Sequence, residues 1–230
     1  MSNHAILLVE GESDQKFFAT LLKDITLNVS VQPETPKSVS DNIFRNGINP
    51  LFARFEKEVT RLLLGSSIQQ LAIVIDADRA EDGHGLQQRR RQIIDILKKV
   101  TDSLGQVEFS ADTTPSEIYQ GEIFTHQSGA QIGLWIMHDH STDGMLENFL
   151  IDAVKTEQQQ LLLTACNTVK NLGEQQLFKP AHELKAHLST WLAWQDPPGI
   201  STAYAYYKSL FDKEHPNIKA LTSWLTRVFQ

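Results

Sequence analysis

The sequence predicts an α/β fold, with a mostly parallel sheet flanked by helices, followed by an α-helical C-terminal appendage. Three apolar runs lack polar alternation: 5–9, 71–75 and 132–137. Such runs are typical of strands that are buried on both faces. Segments with helical periodicity separate them, and this alternation favours parallel pairing. Beyond about residue 155 only helical patterns occur. We therefore expect an α/β domain at 1–154 and a helical extension at 155–230 packed on it.

The first half of the α/β domain begins with the strand at 5–9, which leads through Gly11 into a helix. Ser13 is a plausible N-cap of that helix, and its core face carries Phe17, Phe18, Leu21 and Leu22. Weak alternation at 27–31 predicts a short second strand. Apolar spacing at 51–64 predicts the next helix, which returns the chain to the sheet.

The second half repeats this alternation. The strand at 71–75 is followed by a polar, glycine-containing loop and a helix at about 86–100. The strand at 132–137 is followed by a helix that starts at about Asp143. In the C-terminal extension, helical patterns fall at three places: 157–170, 180–194 and 216–228.

The composition excludes some classes of protein. No apolar run approaches the roughly 20 residues that span a bilayer, and the first one stops at Glu10, which is too short for a signal peptide. Cys166 is the only cysteine, so an intrachain disulfide is excluded and a cytoplasmic location is expected. The net charge of −7 argues against a protein that simply coats nucleic acid. Local basic residues and bound metal can offset that charge.

Carboxylates follow each of the three strong strands. Glu10 follows the first, Asp76 and Asp78 the second, and Asp139 the third. Ligands of open α/β sheets collect at the carboxyl ends of strands, so these acids converge if the strands are neighbours. Close carboxylates repel one another unless a cation neutralises them. Oxygen ligands without the His and Cys spacing of zinc sites favour Mg²⁺ or Mn²⁺.

Two motifs in this pattern resemble the Toprim domain of topoisomerases, primases and overcoming-lysogenization-defect nucleases. The first is Val9-Glu10-Gly11-x-x-Asp14 after a strand, and the second is Asp76-x-Asp78 after another strand, some sixty residues later. The resemblance covers roughly 5–152 and implies a Toprim-like, Rossmann-like fold. It also implies that Glu10 serves as a general acid/base or a metal ligand, and that Asp76 and Asp78 bind metal.

Two further segments, 133–150 and 190–199, resemble a family of small uncharacterised prokaryotic Toprim-like proteins. They contain Gly-Leu-Trp-Ile-Met-His-Asp with Gly-Met-Leu-Glu-Asn-Phe-Leu, and Thr-Trp-Leu-Ala-Trp-Gln-Asp-Pro-Pro-Gly. This match extends over nearly the whole chain. His138 departs from it, because proline is expected before the acidic residue.

The predicted site extends beyond the two motifs. In an extended strand Asp76 and Asp78 point to one face, so one cation can bridge them. Asp14 lies one helical turn beyond Glu10 and is a further candidate ligand. Glu147, early in the helix after the third strand, is the candidate ligand of a second metal. Arg89, Arg90 and Arg91 form a basic segment that can hold a phosphate backbone.

Each of these residues also has a structural interpretation. Strand-end carboxylates can cap helix N-termini, and acids in a first helical turn favour the helix dipole. Asp139 can be a turn residue, and a run of arginines can be a solvated helix face. His84, His138 and His140 can be surface residues rather than metal ligands. Aromatic residues of the C-terminal extension can pack it onto the sheet instead of stacking on bases.

The leading functional hypothesis is a Toprim nuclease that cleaves DNA or RNA with Mg²⁺ or Mn²⁺. The resemblance implies a role in prokaryotic defence systems, in which an ATPase partner controls cleavage. The sequence has no Walker motif and no G-x-G-x-x-G, so any such ATPase would be a separate chain. The second hypothesis is a non-catalytic module that binds metal or nucleotide or docks a partner. A primase-like nucleotidyl transferase needs template-binding parts that 230 residues barely accommodate.

Overall fold

The structure, a computed structural model, describes residues 4–33, 48–78, 85–111 and 121–230. Its strands are β1 (His4–Val9), β2 (Ser30–Pro33), β3 (Ile68–Asp76), β4 (Ser110–Ala111), β5 (Glu122–Thr125) and β6 (Gln131–Met137). Its helices are α1 (Glu12–Asp24), α2 (Ile48–Leu63), α3 (Leu86–Leu104), α4 (Leu146–Asp152), α5 (Thr156–Lys170), α6 (Glu183–Ala193), α7 (Thr202–Tyr207) and α8 (Pro216–Phe229). None of these helices is long and apolar enough to cross a membrane.

The strands form one mixed sheet in the order β2-β1-β3-β6-β5-β4. β2, β1, β3 and β6 are parallel, while β5 and β4 extend the sheet antiparallel. The prediction of a mostly parallel α/β sheet is therefore confirmed. The chain runs outward from β1 to β2 and then returns as β3 on the other side of β1. This reversal is a topological switch point, and the carboxyl ends of β1 and β3 lie at it.

Helices cover both faces of the sheet because alternate strand residues point in opposite directions. On one face, Ile6, Leu8 and Ile73 pack with α2 and α3. On the other face, Leu7, Val9 and Trp135 pack in a core to which α1 and α4–α8 contribute. The continuous apolar runs of the sequence therefore follow from burial on both sides.

Helix α8 lies directly on the sheet over β3 and β6. Its Trp224 is fully buried, and the indole Nε1 donates a hydrogen bond to the Glu122 carbonyl at 3.1 Å. Glycine is required beneath this ring: at Gly121, with φ +78°, an added Cβ would lie 2.4 Å from Trp224 Cδ1. Trp191 and Tyr206 are also buried, so these aromatic residues of the extension pack in the core.

Candidate functional site

The candidate site lies at the switch point, where β1 and β3 end side by side. Glu10 follows β1, and its Oε1 accepts a hydrogen bond from the Asp76 backbone N–H at 2.8 Å. Asp76 ends β3, and its Oδ1 accepts from the Leu146 N–H at 3.0 Å, at the start of α4. A small pocket beside them is lined by Glu10, Asp14 and Asp76 and by apolar side chains that include Phe18 and Met137.

Asp14 enters the pocket from the first turn of α1. The N-cap of this helix is Gly11, so Ser13, the predicted N-cap, lies inside the helix. The Gly11 N–H donates to Asp14 Oδ2 at 2.9 Å. This contact turns the Asp14 carboxylate back toward the end of β1, where it lines the same pocket as Glu10.

Glu147 belongs to the first turn of α4, which begins at Leu146 rather than near Asp143. The later start follows from the extended backbone of Met145, whose N–H donates to Asn148 Oδ1 at 3.1 Å. Glu147 Oε1 lies 3.8 Å from Lys185 Nζ. Glu147 Oε2 is buried and has no hydrogen-bond partner among the described residues.

Asp78 differs from the expectation for the Asp76-x-Asp78 pair. β3 ends at Asp76, and Asp78 has a left-handed backbone with φ +60°, so the two residues are not in one extended strand. Arg89, which is buried in α3, places Nη2 2.6 Å from Asp78 Oδ2 and donates from Nε to the Asp76 carbonyl at 3.3 Å. The negative charge of Asp78 is therefore balanced by Arg89.

The pKa values of Glu10, Asp14 and Asp76 are raised, so their surroundings disfavour the charged carboxylates. Burial raises the pKa of Glu10 to about 7, and the charges of Asp78 and Asp14 add to that shift. Burial also raises the pKa of Asp14 to about 6, with a further contribution from Glu147. The pKa of Asp76 is raised well above its ordinary value by burial and then by the carboxylates around it. We call Glu10, Asp14, Asp76 and Glu147 the acidic cluster.

Lys185 on α6 is the site residue that sequence reasoning missed. Burial opposes its charge, but the acidic cluster, with Glu147 first, raises the pKa of Lys185 above its ordinary value. No motif contains this lysine, and it lies far from the strand ends in the chain. Only the packing of α6 against α4 brings it to the cluster.

Asp139 and two of the arginines have other contacts. Asp139 Oδ1 accepts hydrogen bonds from Ser141 and Thr142 within a turn, and these bonds outweigh burial and lower the pKa of Asp139. Arg90 pairs with Glu122, and Arg91 is exposed and donates to the Gln87 carbonyl. Successive helix residues point about 100° apart, so Arg89, Arg90 and Arg91 do not form one basic face.

The two histidines of His138-Asp139-His140 also have separate contacts. His138 Nε2 lies 2.7 Å from Asp152 Oδ2, whereas His140 Nε2 lies 3.2 Å from Glu122 Oε1. The peptide bond between Met137 and His138 is cis. His84 lies outside the described residues. His138 and His140 therefore contact two different carboxylates, those of Asp152 and Glu122, instead of sharing one metal ion.

The donor chemistry of the acidic cluster fits Mg²⁺ or Mn²⁺. In the described ranges, no group of three or more His, Cys, Asp or Glu side chains is arranged to hold a metal ion by itself. Mg²⁺ needs no such cage, since proteins usually hold it through one or two carboxylates while water or phosphate fills the other positions. The buried, unpartnered Oε2 of Glu147 is a suitable donor. Burial and then the neighbouring carboxylates raise the pKa of Asp76, and a cation would offset the repulsion among these carboxylates.

Comparison with known proteins assigns the chain to a family. Residues 4–230 match the family described as protein of unknown function (DUF3226), and the chain belongs to it. The prediction of an uncharacterised family is confirmed to that extent. No curated protein matches the chain. The crystal structure of hypothetical protein PH0156 from Pyrococcus horikoshii OT3 is similar, with 15% identity over 98% of this chain and 95% of that chain and a TM-score of 0.50. At this identity the similarity concerns the fold alone.

Proposed function

We propose that this member of the DUF3226 family is a Mg²⁺- or Mn²⁺-dependent hydrolase of phosphodiester bonds in DNA or RNA. The observation that carries the proposal is the convergence of Glu10, Asp14 and Asp76 in one pocket at the switch point of the sheet. The Toprim resemblance of the two motifs supports it, because those motifs contain the same three residues.

The sheet topology supports a Toprim-like fold. The two strands that carry the motifs, β1 and β3, are adjacent and parallel, and β6 is parallel to β3 on its other side. Glu10 and Asp76 thereby lie at neighbouring strand ends, as a shared metal site requires. Helix α4 follows β6 and adds Glu147 from the same end of the sheet.

Each residue has a role in this proposal. Asp76 and Glu147 would hold the metal through carboxylate oxygens, and Asp14 would add a ligand at the pocket wall. When bound there, the metal would polarise a phosphodiester and acidify a water molecule. Glu10, whose pKa is raised to about 7 chiefly by burial, can accept or release a proton at its carboxylate near neutral pH. Arg89 holds Asp78 and the end of β3 in place.

A second candidate function, a non-catalytic binding module, is favoured by the hydrogen bonds of the cluster. Glu10, Asp14 and Asp76 each use one oxygen to accept a backbone N–H. These contacts give the carboxylates structural roles at helix starts and strand ends. The net charge of −7 and the dispersed arginines also favour a module that holds a metal or nucleotide, or docks a partner, without cutting.

Cleavage assays distinguish the two functions. Plasmid DNA, single-stranded DNA and RNA are incubated with the protein in Mg²⁺, Mn²⁺ or EDTA, and cleavage is compared for wild type, Asp76→Asn and the exposed-site control Asp102→Asn. We expect metal-dependent cleavage that Asp76→Asn lowers by roughly 100-fold or more and Asp102→Asn leaves unchanged. Calorimetry on the same proteins measures metal binding. Binding without cleavage, even with a separate ATPase from a neighbouring gene, supports the binding module and refutes the nuclease.

A further inference from the structure

We propose that Lys185 is a tethered counter-ion of the metal-free acidic cluster and competes with divalent cations for it. The inference rests on the proposed function, because it assigns a regulatory role to a residue at the same metal site. Lys185 comes from the C-terminal helices and not from the motif-bearing part of the chain, so both parts of the protein contribute to the site.

The Lys185 ammonium group lies close to one member of the acidic cluster, Glu147. Lys185 Nζ lies 3.8 Å from Glu147 Oε1. The other oxygen of the same carboxylate, Oε2, is buried without a hydrogen-bond partner among the described residues. After Glu147, the carboxylates of Asp76, Asp14 and Glu10 also raise the pKa of Lys185. All four members of the acidic cluster therefore favour its positive charge.

The two cations near the site differ in how firmly they are held. The Arg89 side chain is 3% exposed and forms a 2.6 Å ion pair with Asp78. The Lys185 side chain is 55% exposed, and its contact with Glu147 is longer. A lysine is a point charge on a flexible stem, so it can leave Glu147 at little cost. The planar guanidinium of Arg89 is fixed by three contacts, to Asp78, the Asp76 carbonyl and Gln92. Lys185 is thus the displaceable cation.

Competition follows from charge. A divalent ion at Glu147 repels an ammonium group a few ångströms away, and both stabilise the same carboxylates. Binding of a divalent ion at Glu147 therefore weakens the contact of Lys185 with Glu147, and that contact weakens binding of the ion. Because Lys185 is on α6, its displacement also removes an ion pair between α6 and α4.

The first test compares Lys185→Met with Lys219→Met. Lys219 is a matched control, because it is an exposed lysine that pairs with a glutamate, Glu214, on the surface. We expect Lys185→Met to bind Mn²⁺ roughly tenfold more tightly than wild type in calorimetry at pH 8. In EDTA we expect its Tm to fall by about 2–4 °C, because the cluster has lost its counter-ion. Lys219→Met is expected to match wild type in Mn²⁺ affinity.

The second test measures displacement directly. Amine acylation of the wild-type protein, quantified by mass spectrometry at single lysines, is expected to be severalfold faster at Lys185 with saturating Mn²⁺ than in EDTA. Acylation of Lys219 serves as the internal reference and is expected not to change.

The outcomes separate this inference from the proposed function. If wild type and Lys185→Met bind Mn²⁺ equally, or if Lys185 acylation does not change with Mn²⁺, the competition is refuted while the metal site stands. If Lys185→Met alone binds Mn²⁺ measurably, the counter-ion role is supported. If neither protein binds Mn²⁺ or Mg²⁺, the metal site and the competition both fail.

Discussion

Two acidic sites lie on the same sheet, and they differ in how their charge is balanced. At β5, the fully buried Glu122 accepts hydrogen bonds from Arg90 Nε at 2.8 Å and Nη2 at 2.7 Å. His140 Nε2 lies 3.2 Å from the same carboxylate. At the switch point, Asp76 has acidic neighbours instead, and the Arg89 guanidinium pairs with Asp78.

This difference separates a structural carboxylate from one available for binding. Burial disfavours the charge of Glu122, but hydrogen bonds from His140 and Arg90 outweigh it and lower the pKa of Glu122. For Asp76, burial and neighbouring acids act in the same direction and raise the pKa. A protein that keeps such incompletely compensated charge in its folded state loses stability there, a cost that is common at functional sites.

The largest expected effect is at Glu122, whose charge is balanced by Arg90 and His140. Glu122→Gln removes the negative charge and leaves Arg90 and His140 facing a neutral amide, so we expect the free energy of unfolding to fall by about 3 kcal/mol. Urea denaturation measures the change. Glu108→Gln is the control, because Glu108 forms an exposed pair with Lys98 at 3.4 Å and is expected to contribute less than about 1 kcal/mol. Equal losses in the two variants would contradict a structural role for Glu122.

At the acidic cluster, removal of a charge is expected to change the free energy of unfolding in the opposite direction. Asp76→Asn keeps an oxygen for the Leu146 N–H and removes one charge from the cluster. We expect the metal-free protein at pH 8 to gain roughly 1–2 kcal/mol of stability and to lose binding of Mn²⁺. Chemical denaturation in EDTA and calorimetry provide the two readouts. Destabilisation at pH 8 would show that the Asp76 carboxylate stabilises the folded protein, as Glu122 is expected to do. The two sites would then not differ in the way described above.

The third expected effect is the pH dependence of wild type, to which three carboxylates contribute. Glu10, Asp14 and Asp76 have raised pKa values in the folded state, while in the unfolded chain they titrate near pH 4. The folded protein therefore holds more protons between about pH 4 and pH 7. Stability is then lost as the pH rises through this window.

Melting temperatures in EDTA at pH 5 and pH 8 measure this loss, which we put at roughly 1–3 kcal/mol. Asp76→Asn is expected to reduce the slope, and saturating Mg²⁺ is expected to restore stability at pH 8. Glu122, whose pKa is lowered, contributes below this window and with the opposite sign. A stability that rises from pH 5 to pH 8 in EDTA would contradict the charge imbalance of the cluster.

Local patterns were sufficient to predict most of the secondary structure. The runs at 5–9, 71–75 and 132–137 became β1, β3 and β6, because apolar residues without alternation are stable only between two covering layers. β4, β5 and α7 were not predicted, since each has six residues or fewer and shows no distinct period. The N-cap of α1 was placed at Ser13 instead of Gly11, because only the contact between Gly11 and Asp14 distinguishes them.

The sequence alone therefore determined which acids lie at the carboxyl ends of the strands, because a strand's direction and its end are local properties of the chain. Tertiary structure decided which of these acids meet and which cations reach them. Strand order placed Glu10 beside Asp76, and the rotation of α3 directed Arg89 to Asp78 but Arg90 to Glu122. Packing of α6 brought in Lys185 from a distant part of the chain, and such long-range contacts depend on the shape of the whole core rather than on any local spacing.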